Sequence, residues 1–238
     1  MLFFYIRHGD PIYNPDSLTE LGNRQAEAVG RRLAAHGMDR IYASSSQRAI
    51  DTAKPLCEML HREPVILDWA NEGHFYREAS CPNEAGKTQW MFTQERYKHI
   101  FLSPEMRRLG DNWKSHPCFA GTQLVAGCER IARESDAFFE ALGYRHDREN
   151  FRWEAVAPTK ERVAMFAHGG FVTGFMSDIL DIPYPLFAAK TSFQHTGVTV
   201  IRFAEKPGYF QPEMLMMSCD AHIWRDGLPT SYNNGIFI

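Results

Sequence analysis

Two short apolar runs, each followed by a His-Gly pair, constrain this chain more than any other feature. Leu2-Phe3-Phe4-Tyr5-Ile6 runs into Arg7-His8-Gly9, and Val163-Ala164-Met165-Phe166-Ala167 runs into His168-Gly169-Gly170. Continuous apolar runs of this length read as strands buried on both faces, which is the pattern of a parallel sheet covered by helices. In open α/β sheets, ligands sit beyond the carboxyl ends of the strands. The two histidines are therefore expected side by side in space although they are far apart in sequence. With Arg7 beside them, they predict an anion site containing a nucleophile.

The rest of the chain fits a sheet of that kind. A polar loop from Asp10 to Leu18 precedes Thr19, which offers a helix N-cap, and a helix is expected from Glu20 to about His36, stopped by Gly37. Arg40–Ala43 reads as a second strand. The next helix follows Ser46 and shows Ala49, Ala53, Leu56 and Leu60 on its inner face. Pro64–Leu67 reads as a third strand and Arg162–Ala167 as the fourth, followed by a helix to about Asp181 that Pro183 and Pro185 end. A long helix carries Leu124, Cys128, Ile131, Ser135, Phe138 and Leu142 on one face. Thr196–Phe203 and Glu213–Ser218 are expected as an antiparallel pair at the sheet edge, and the tail from Asp220 is given no regular structure. Strands alternating with amphipathic helices predict an α/β three-layer sandwich with a mainly parallel central sheet flanked by helices. One domain is expected over residues 1–238, with an insertion at about 77–122 lying over the C-terminal sheet edge. That insertion is rich in proline and aromatics, with one helix expected at Thr93–Arg108. Its aromatics are expected to form a small satellite core, some of them lining the substrate entrance.

Composition removes several function classes. The 238 residues carry a net charge of −3, so no basic surplus exists to neutralise a nucleic-acid backbone. No apolar stretch approaches membrane-spanning length, and the N-terminus has no secretory signal pattern. The five cysteines include no C-x-x-C pair, which reads as reduced thiols of a cytoplasmic protein. The expected partner is a small molecule, not nucleic acid or membrane. Whether the tail, His222 included, folds over the pocket or pairs with a second subunit as a homodimer stays open.

Chemistry collects just past the strand ends: Arg7, His8 and Asn14 after the first, Arg48 after the second, Glu72 after the third, and His168 with Gly169-Gly170 after the fourth. Taken singly, each has an ordinary explanation, such as a solvated arginine, a loop carboxylate or a core histidine. Their joint placement at strand ends is not ordinary. Arginine forks suit phosphate geometry, and a helix N-terminus favours an anion, so a phosphate group is the expected occupant.

These residues carry a resemblance. Arg7-His8-Gly9-Asp10-Pro11-Ile12-Tyr13-Asn14 resembles the R-H-G-x-T-x-W-N signature of the histidine phosphatase (phosphoglycerate mutase-like) superfamily. Leu18-Thr19-Glu20-Leu21-Gly22-Asn23-Arg24-Gln25-Ala26 resembles its L-T-x-x-G-x-x-Q-A helix start. Ser44 to Ala53 resembles its S-x-x-x-R-A-x-x-T-A segment, and Ala167-His168-Gly169-Gly170 its late S-H-G-G. The resemblance covers about residues 1–72 and 160–203. It implies a phosphatase acting on a small phosphorylated metabolite through a phosphohistidine on His8, with no cofactor and no metal. Glu72 would be the general acid and His168 a further catalytic group, while Arg7, Asn14, Arg48 and Gly169 would bind phosphate.

The pattern is departed from in places. Pro11 replaces a Ser/Thr and Tyr13 a Trp, and the segment around Glu72 is degraded, which makes Glu78 and Glu84 fallback acids. Phosphoglycerate mutases of the superfamily carry a basic R-H-Y-G-x-L-x-G type segment just after the acid. Here that place reads Gly73-His74-Phe75-Tyr76-Arg77-Glu78-Ala79, which favours phosphatase over mutase. A non-catalytic binder of phosphorylated ligands is the third reading, and the intact His8, Arg7, Arg48 and His168 weigh against it. His195, Arg77, Lys87 and Lys114 are read as structural or surface residues, and Cys81 and Cys118 as unreactive thiols.

Overall fold

Leu2–Arg7 forms strand β1 in a computed structural model that describes residues 1–230. A short hairpin of β2 (Pro11–Tyr13) and β3 (Asp16–Leu18) follows, where the sequence reads as loop. Helix α1 (Glu20–Ala34), strand β4 (Arg40–Ser44), helix α2 (Gln47–Leu60) and strand β5 (Val65–Leu67) come next. Thr19 caps α1 as its sequence predicts, its side chain accepting a hydrogen bond from the Gly22 N–H. Then come helix α3 (Glu72–Ala79), a hairpin of β6 (Ser80–Pro82) and β7 (Thr88–Trp90), and helices α4 (Glu95–Phe101) and α5 (Pro104–Leu109). The single helix expected over 93–108 is thus two. Pro104 lacks an N–H and starts α5, and the Ser103 side chain caps it.

The second half holds α6 (Leu124–Ala141), β8 (Tyr144–Asp147), β9 (Arg152–Ala155), β10 (Arg162–Ala167) and α7 (Phe171–Ile179). It continues with α8 (Tyr184–Ala188), β11 (Val198–Arg202), β12 (Gly208–Phe210), β13 (Glu213–Cys219) and α9 (Ala221–Arg225). Three features differ from expectation. The helix after β10 stops at Ile179, and Asp181 turns the chain at φ 50°. Pro185 then sits in the first turn of α8, where its missing N–H costs no hydrogen bond. The tail beyond Asp220 contains α9, whose buried His222 and Ile223 pack toward α1. Strands β8, β9 and β12 form a small antiparallel sheet that periodicity does not reveal, because each is three or four residues long.

The central sheet has six strands in the order β13-β11-β1-β10-β4-β5. β1, β10, β4 and β5 are parallel, while β11 and β13 are antiparallel additions at one edge. Alternate residues of β1 feed two cores. Phe3 and Tyr5 join one face with Ile131, Phe139 and Phe175, and Phe4 and Ile6 join the other with Val29, Leu33 and Leu56. Helices α1 and α2 cover one face, and α6 and α7 the other, which gives the three layers. The insertion does not make a satellite core. Phe101, Met106, Trp113 and Phe119 belong to the same apolar cluster as Phe3 and Phe175. Among the described residues no helix is long and apolar enough to cross a membrane.

Candidate active site

Strand register brings the two His-Gly pairs together. Arg7 lies opposite Ala167 at the paired ends of β1 and β10, and the His8 N–H donates to the Ala167 carbonyl at 2.9 Å. The next residue on each strand is then a histidine, and the His8 and His168 ring centroids are 5.2 Å apart. A nitrogen of each ring and a carboxylate oxygen of Glu72 lie within 4.8 Å of one another. The chain can turn this tightly because two glycines meet. A Cβ on Gly9 would be 2.7 Å from the Gly22 carbonyl oxygen, and one on Gly22 would be 2.2 Å from that of Asp10.

Hydrogen bonds fix the state of each imidazole. The Nδ1 of His8 is 2.7 Å from the Gly9 carbonyl, which can only accept, so Nδ1 carries the proton and Nε2 the lone pair. His168 has the opposite tautomer. Its Nδ1 faces the Arg48 Nη2 at 3.2 Å and must accept, so its Nε2–H donates to the Ser44 hydroxyl at 2.7 Å. The Tyr5 hydroxyl donates to the His168 carbonyl at 2.7 Å and accepts from its N–H at 2.9 Å. Burial, followed by the charge of Arg7 and the second histidine, holds the His8 pKa well below the ordinary value of 6.5. Burial and then Arg48 and Arg7 do the same to His168. Both rings are neutral at pH 7.

Arg48 stands in the first turn of α2, which places its guanidinium over the strand ends. Its Nη1 bonds Asp16 at 2.7 Å, and its Nη2 lies 3.4 Å from Glu72. Glu72 opens α3, and its Oε1 accepts from the Gly170 N–H at 2.7 Å. Arg7 donates from Nη1 to the Phe193 carbonyl at 2.6 Å and packs against Gly169, where a Cβ would be 2.9 Å from the Arg7 Nε.

Six of the seven residues singled out from sequence therefore converge: Arg7, His8, Arg48, Glu72, His168 and Gly169. Asn14 does not. It is exposed in the turn between β2 and β3, and its neighbour Asp16 is the hairpin residue that reaches Arg48. The fallback acids also lie elsewhere, Glu78 in a two-point ion pair with Arg130 and Glu84 at the tip of the β6–β7 hairpin. His195, read as structural or surface, stands 5.7 Å from the His8 ring and 3.5 Å from Asp10. A tight turn puts it there, with Thr196 at φ 55° donating its N–H to the Arg7 carbonyl. Burial, then Arg7, pushes its pKa down to about 3. Ser44, Asp16, Gly170 and Trp90 also stand at the cluster. Ser44 has a sequence signal at the head of the segment that holds Arg48, and Gly170 in the second His-Gly motif; Asp16 and Trp90 have none.

Two pockets open on this cluster and meet at Tyr13, Glu72 and Trp90. One is bordered by Arg7, Gly169 and Gly170, the other by Arg48, Gly73 and Tyr76. The His8, Glu72 and His168 atoms are close enough to share a metal ion. A dication there would sit against two fixed guanidinium groups, and the Nδ1 of His8 is already committed as a donor. The space suits an anion better.

Comparisons with known proteins agree. The family model of the histidine phosphatase superfamily (branch 1) matches residues 3–104, which extends through most of the insertion. Over those residues the chain is similar to the histidine phosphatase superfamily. A Hydrogenobacter thermophilus protein that carries the name phosphoserine phosphatase 2 is 26% identical over 152 residues, 60% of this chain and 67% of that one. Among solved structures, a phosphoserine phosphatase of Entamoeba histolytica bound to phosphoserine superposes with a TM-score of 0.58. It is 16% identical and covers 93% of this chain and 98% of its own. A mycobacterial glucosyl-3-phosphoglycerate phosphatase gives a TM-score of 0.58 at 17% identity, covering 92% and 98%. The α-ribazole phosphatase of Shigella flexneri gives 0.57 at 15% identity, covering 92% and 97%. At these identities the structural likeness is one of fold.

Proposed function

We propose that this protein is a metal-independent phosphatase that hydrolyses the monoester of a small phosphorylated metabolite through a phosphohistidine on His8. The observation that carries the reading is the His8 tautomer. Its Nδ1–H is held by the Gly9 carbonyl, which leaves the lone pair on Nε2 of a ring that clusters with Glu72 and His168. The low pKa of the ring keeps that lone pair unprotonated at neutral pH.

In the first step Nε2 forms the N–P bond as the ester P–O bond breaks. Glu72, in its acid form, gives its proton to the departing alkoxide. Phosphorylation makes the ring cationic, and its Nδ1–H bond to Gly9 becomes charge-assisted. In the second step the Glu72 carboxylate takes a proton from water, the water oxygen attacks phosphorus, the N–P bond breaks and inorganic phosphate leaves. Arg7 and Arg48 hold the non-bridging oxygens as charge shifts among them. Positioning and electrostatics of this kind carry most of phosphoryl transfer. His168 contributes once the phosphate dianion favours its protonation, since Nδ1 then becomes a second donor. The Gly169 N–H and, from the β2–β3 turn, the Asn14 side chain complete the proposed phosphate cradle.

The relatives named above act, by their names, on phosphoserine and on a phosphoglycerate ester, which fits a small-metabolite monoesterase. The test is phosphate release from p-nitrophenyl phosphate and a metabolite panel without metal, together with acid-labile phosphoenzyme. His8→Ala should lose both turnover and phosphoenzyme. Full activity in that variant would overturn the scheme, and isomerisation of 3-phosphoglycerate without phosphate release would make the protein a mutase.

A further inference from the structure

The phosphate end of the pocket and its outer part are lined by different chemistry. Every charged side chain lining the two pockets among the described residues is Arg7, Arg48 or Glu72, all at the phosphate end. Arg48 already faces Asp16 and Glu72. Beyond them the lining is aromatic and hydroxylic. Trp90 borders both pockets, with Tyr76 edge-on at 5.0 Å and Phe92 tilted at 5.4 Å between ring centroids. Tyr13 borders both pockets too and is 66% exposed. Gly73 lines one of them without a side chain.

A second carboxylate on the substrate would meet no further lysine, arginine or histidine in this lining. It would also stand near Glu72, so its desolvation would be poorly compensated. Arg77 comes near the pocket at Gly73, its Nη1 3.6 Å from where a Cβ there would stand, but it is exposed and its Nη2 faces His74 at 2.8 Å, so it offers a solvated charge and not a buried fork. A flat neutral ring, in contrast, gains from two aromatic faces, and ring stacking is tolerant of ring identity.

We infer that the alcohol half of the substrate is a neutral, ring-bearing group held by Trp90 and Tyr13, of the nucleoside or heterocyclic-alcohol class, and not a carboxylate-bearing alcohol such as serine or glycerate. This rests on the phosphatase reading of the same site and narrows it. Selectivity then comes from the hairpin residues Tyr13 and Trp90, with the Ser192 hydroxyl also lining the pocket.

The test compares kcat/KM for AMP, phosphoserine, 3-phosphoglycerate and glycerol 3-phosphate. AMP is expected to lead. Tyr13→Leu and Trp90→Leu should each lower the AMP to glycerol 3-phosphate ratio of kcat/KM, by about 5- to 100-fold, through KM for AMP. Tyr13→Leu is the safer variant, since Tyr13 is exposed while Trp90 packs on Phe75 and Gly170. Phosphoserine or 3-phosphoglycerate leading the panel, or an unchanged ratio in both variants, overturns the inference and leaves the phosphatase reading intact. Calorimetric binding of AMP and phosphoserine to the His8→Ala protein reads the same preference without turnover. A wild-type protein that forms no phosphoenzyme would sink the phosphatase reading, and this binding order would still decide the inference.

Discussion

At the floor of the pocket, Arg7, His8, Arg48 and His168 each stand within a residue or a helical turn of strands paired in fixed register. The wall is built otherwise: Tyr13 comes from a three-residue hairpin strand, Tyr76 from an eight-residue helix, and Trp90 and Phe92 from the end of another hairpin. The floor is buried, with His8 and His168 at 1% and 0% exposure, and its positions follow from backbone hydrogen bonds between strands. The wall is held by ring contacts between side chains. A floor of this kind tolerates little change and can serve any phosphate monoester. A wall of that kind can be altered ring by ring without moving the floor, so chemistry and selectivity are separable here.

The strongest challenge to that separation is Glu72, because it belongs to the floor by chemistry and borders the wall by position. Glu72→Gln preserves the acceptor for the Gly170 N–H and removes the transferable proton. The loss of kcat expected on an alkyl phosphate is on the order of 10²- to 10⁴-fold, the range of general acid–base catalysis. On p-nitrophenyl phosphate, whose leaving group departs without a proton, the phosphorylation step should be nearly spared. Equal losses in the rate of phosphoenzyme formation on both substrates, read in a rapid-quench burst so that the shared hydrolysis step does not enter, would show that Glu72 holds the floor together and gives no proton to the leaving group.

Gly170 is where floor and wall touch. A Cβ there would fall 2.2 Å from the Trp90 indole, although the backbone at φ −80° accepts alanine without strain. Gly170→Ala must therefore displace Trp90, at a stability cost of about 1–3 kcal/mol for overpacking. The double variant with Trp90→Leu should recover most of that cost, which a thermal-melt double-mutant cycle measures. Additive effects would mean that Trp90 is not seated on Gly170 in solution, and the wall would lose its anchor.

How much of this could be read from sequence follows the same division. Strands β1 and β10 are continuous apolar runs, and the His-Gly pairs at their ends sit in a register set by backbone pairing, so His8 and His168 could be placed together from residues alone. Arg48 and Glu72 followed because each lies just past a strand. Asn14 is less legible, because position in a loop does not fix position in space: the segment forms a hairpin in which Asp16 reaches Arg48 and Asn14 is exposed. Trp90 has no sequence signal that sets it apart from the other aromatics of the insertion, since three-residue strands carry too few residues to show a period. His195 was undervalued for a related reason. Its approach to His8 depends on the left-handed backbone of Thr196, which β-branched residues rarely adopt and no sequence pattern announces.

The smallest expected effect concerns the charge of these histidines in the empty protein. His195 and His222 have folded pKa values pushed down to about 3 by burial, then by Arg7 and Arg32 respectively, against 6.5 when unfolded. A depressed folded value means that below pH 6.5 the unfolded chain binds protons that the native protein does not. Each group therefore favours the fold above 6.5 and withdraws that contribution as pH falls toward 3. His146 supplies the opposite sign. Burial disfavours its charge, but Asp136 and Asp181 outweigh burial and raise its pKa. Its contribution is complete below 6.5 and is lost as pH rises through the folded value. Melting temperatures at pH 5 and pH 8 separate the two. Relative to the parent, His195→Asn should fare better at pH 5 than at pH 8, and His146→Asn should fare worse at pH 5. Parallel shifts at both pH values would mean that His195 is not held neutral beside Arg7, and the electrostatic half of the floor would need another account.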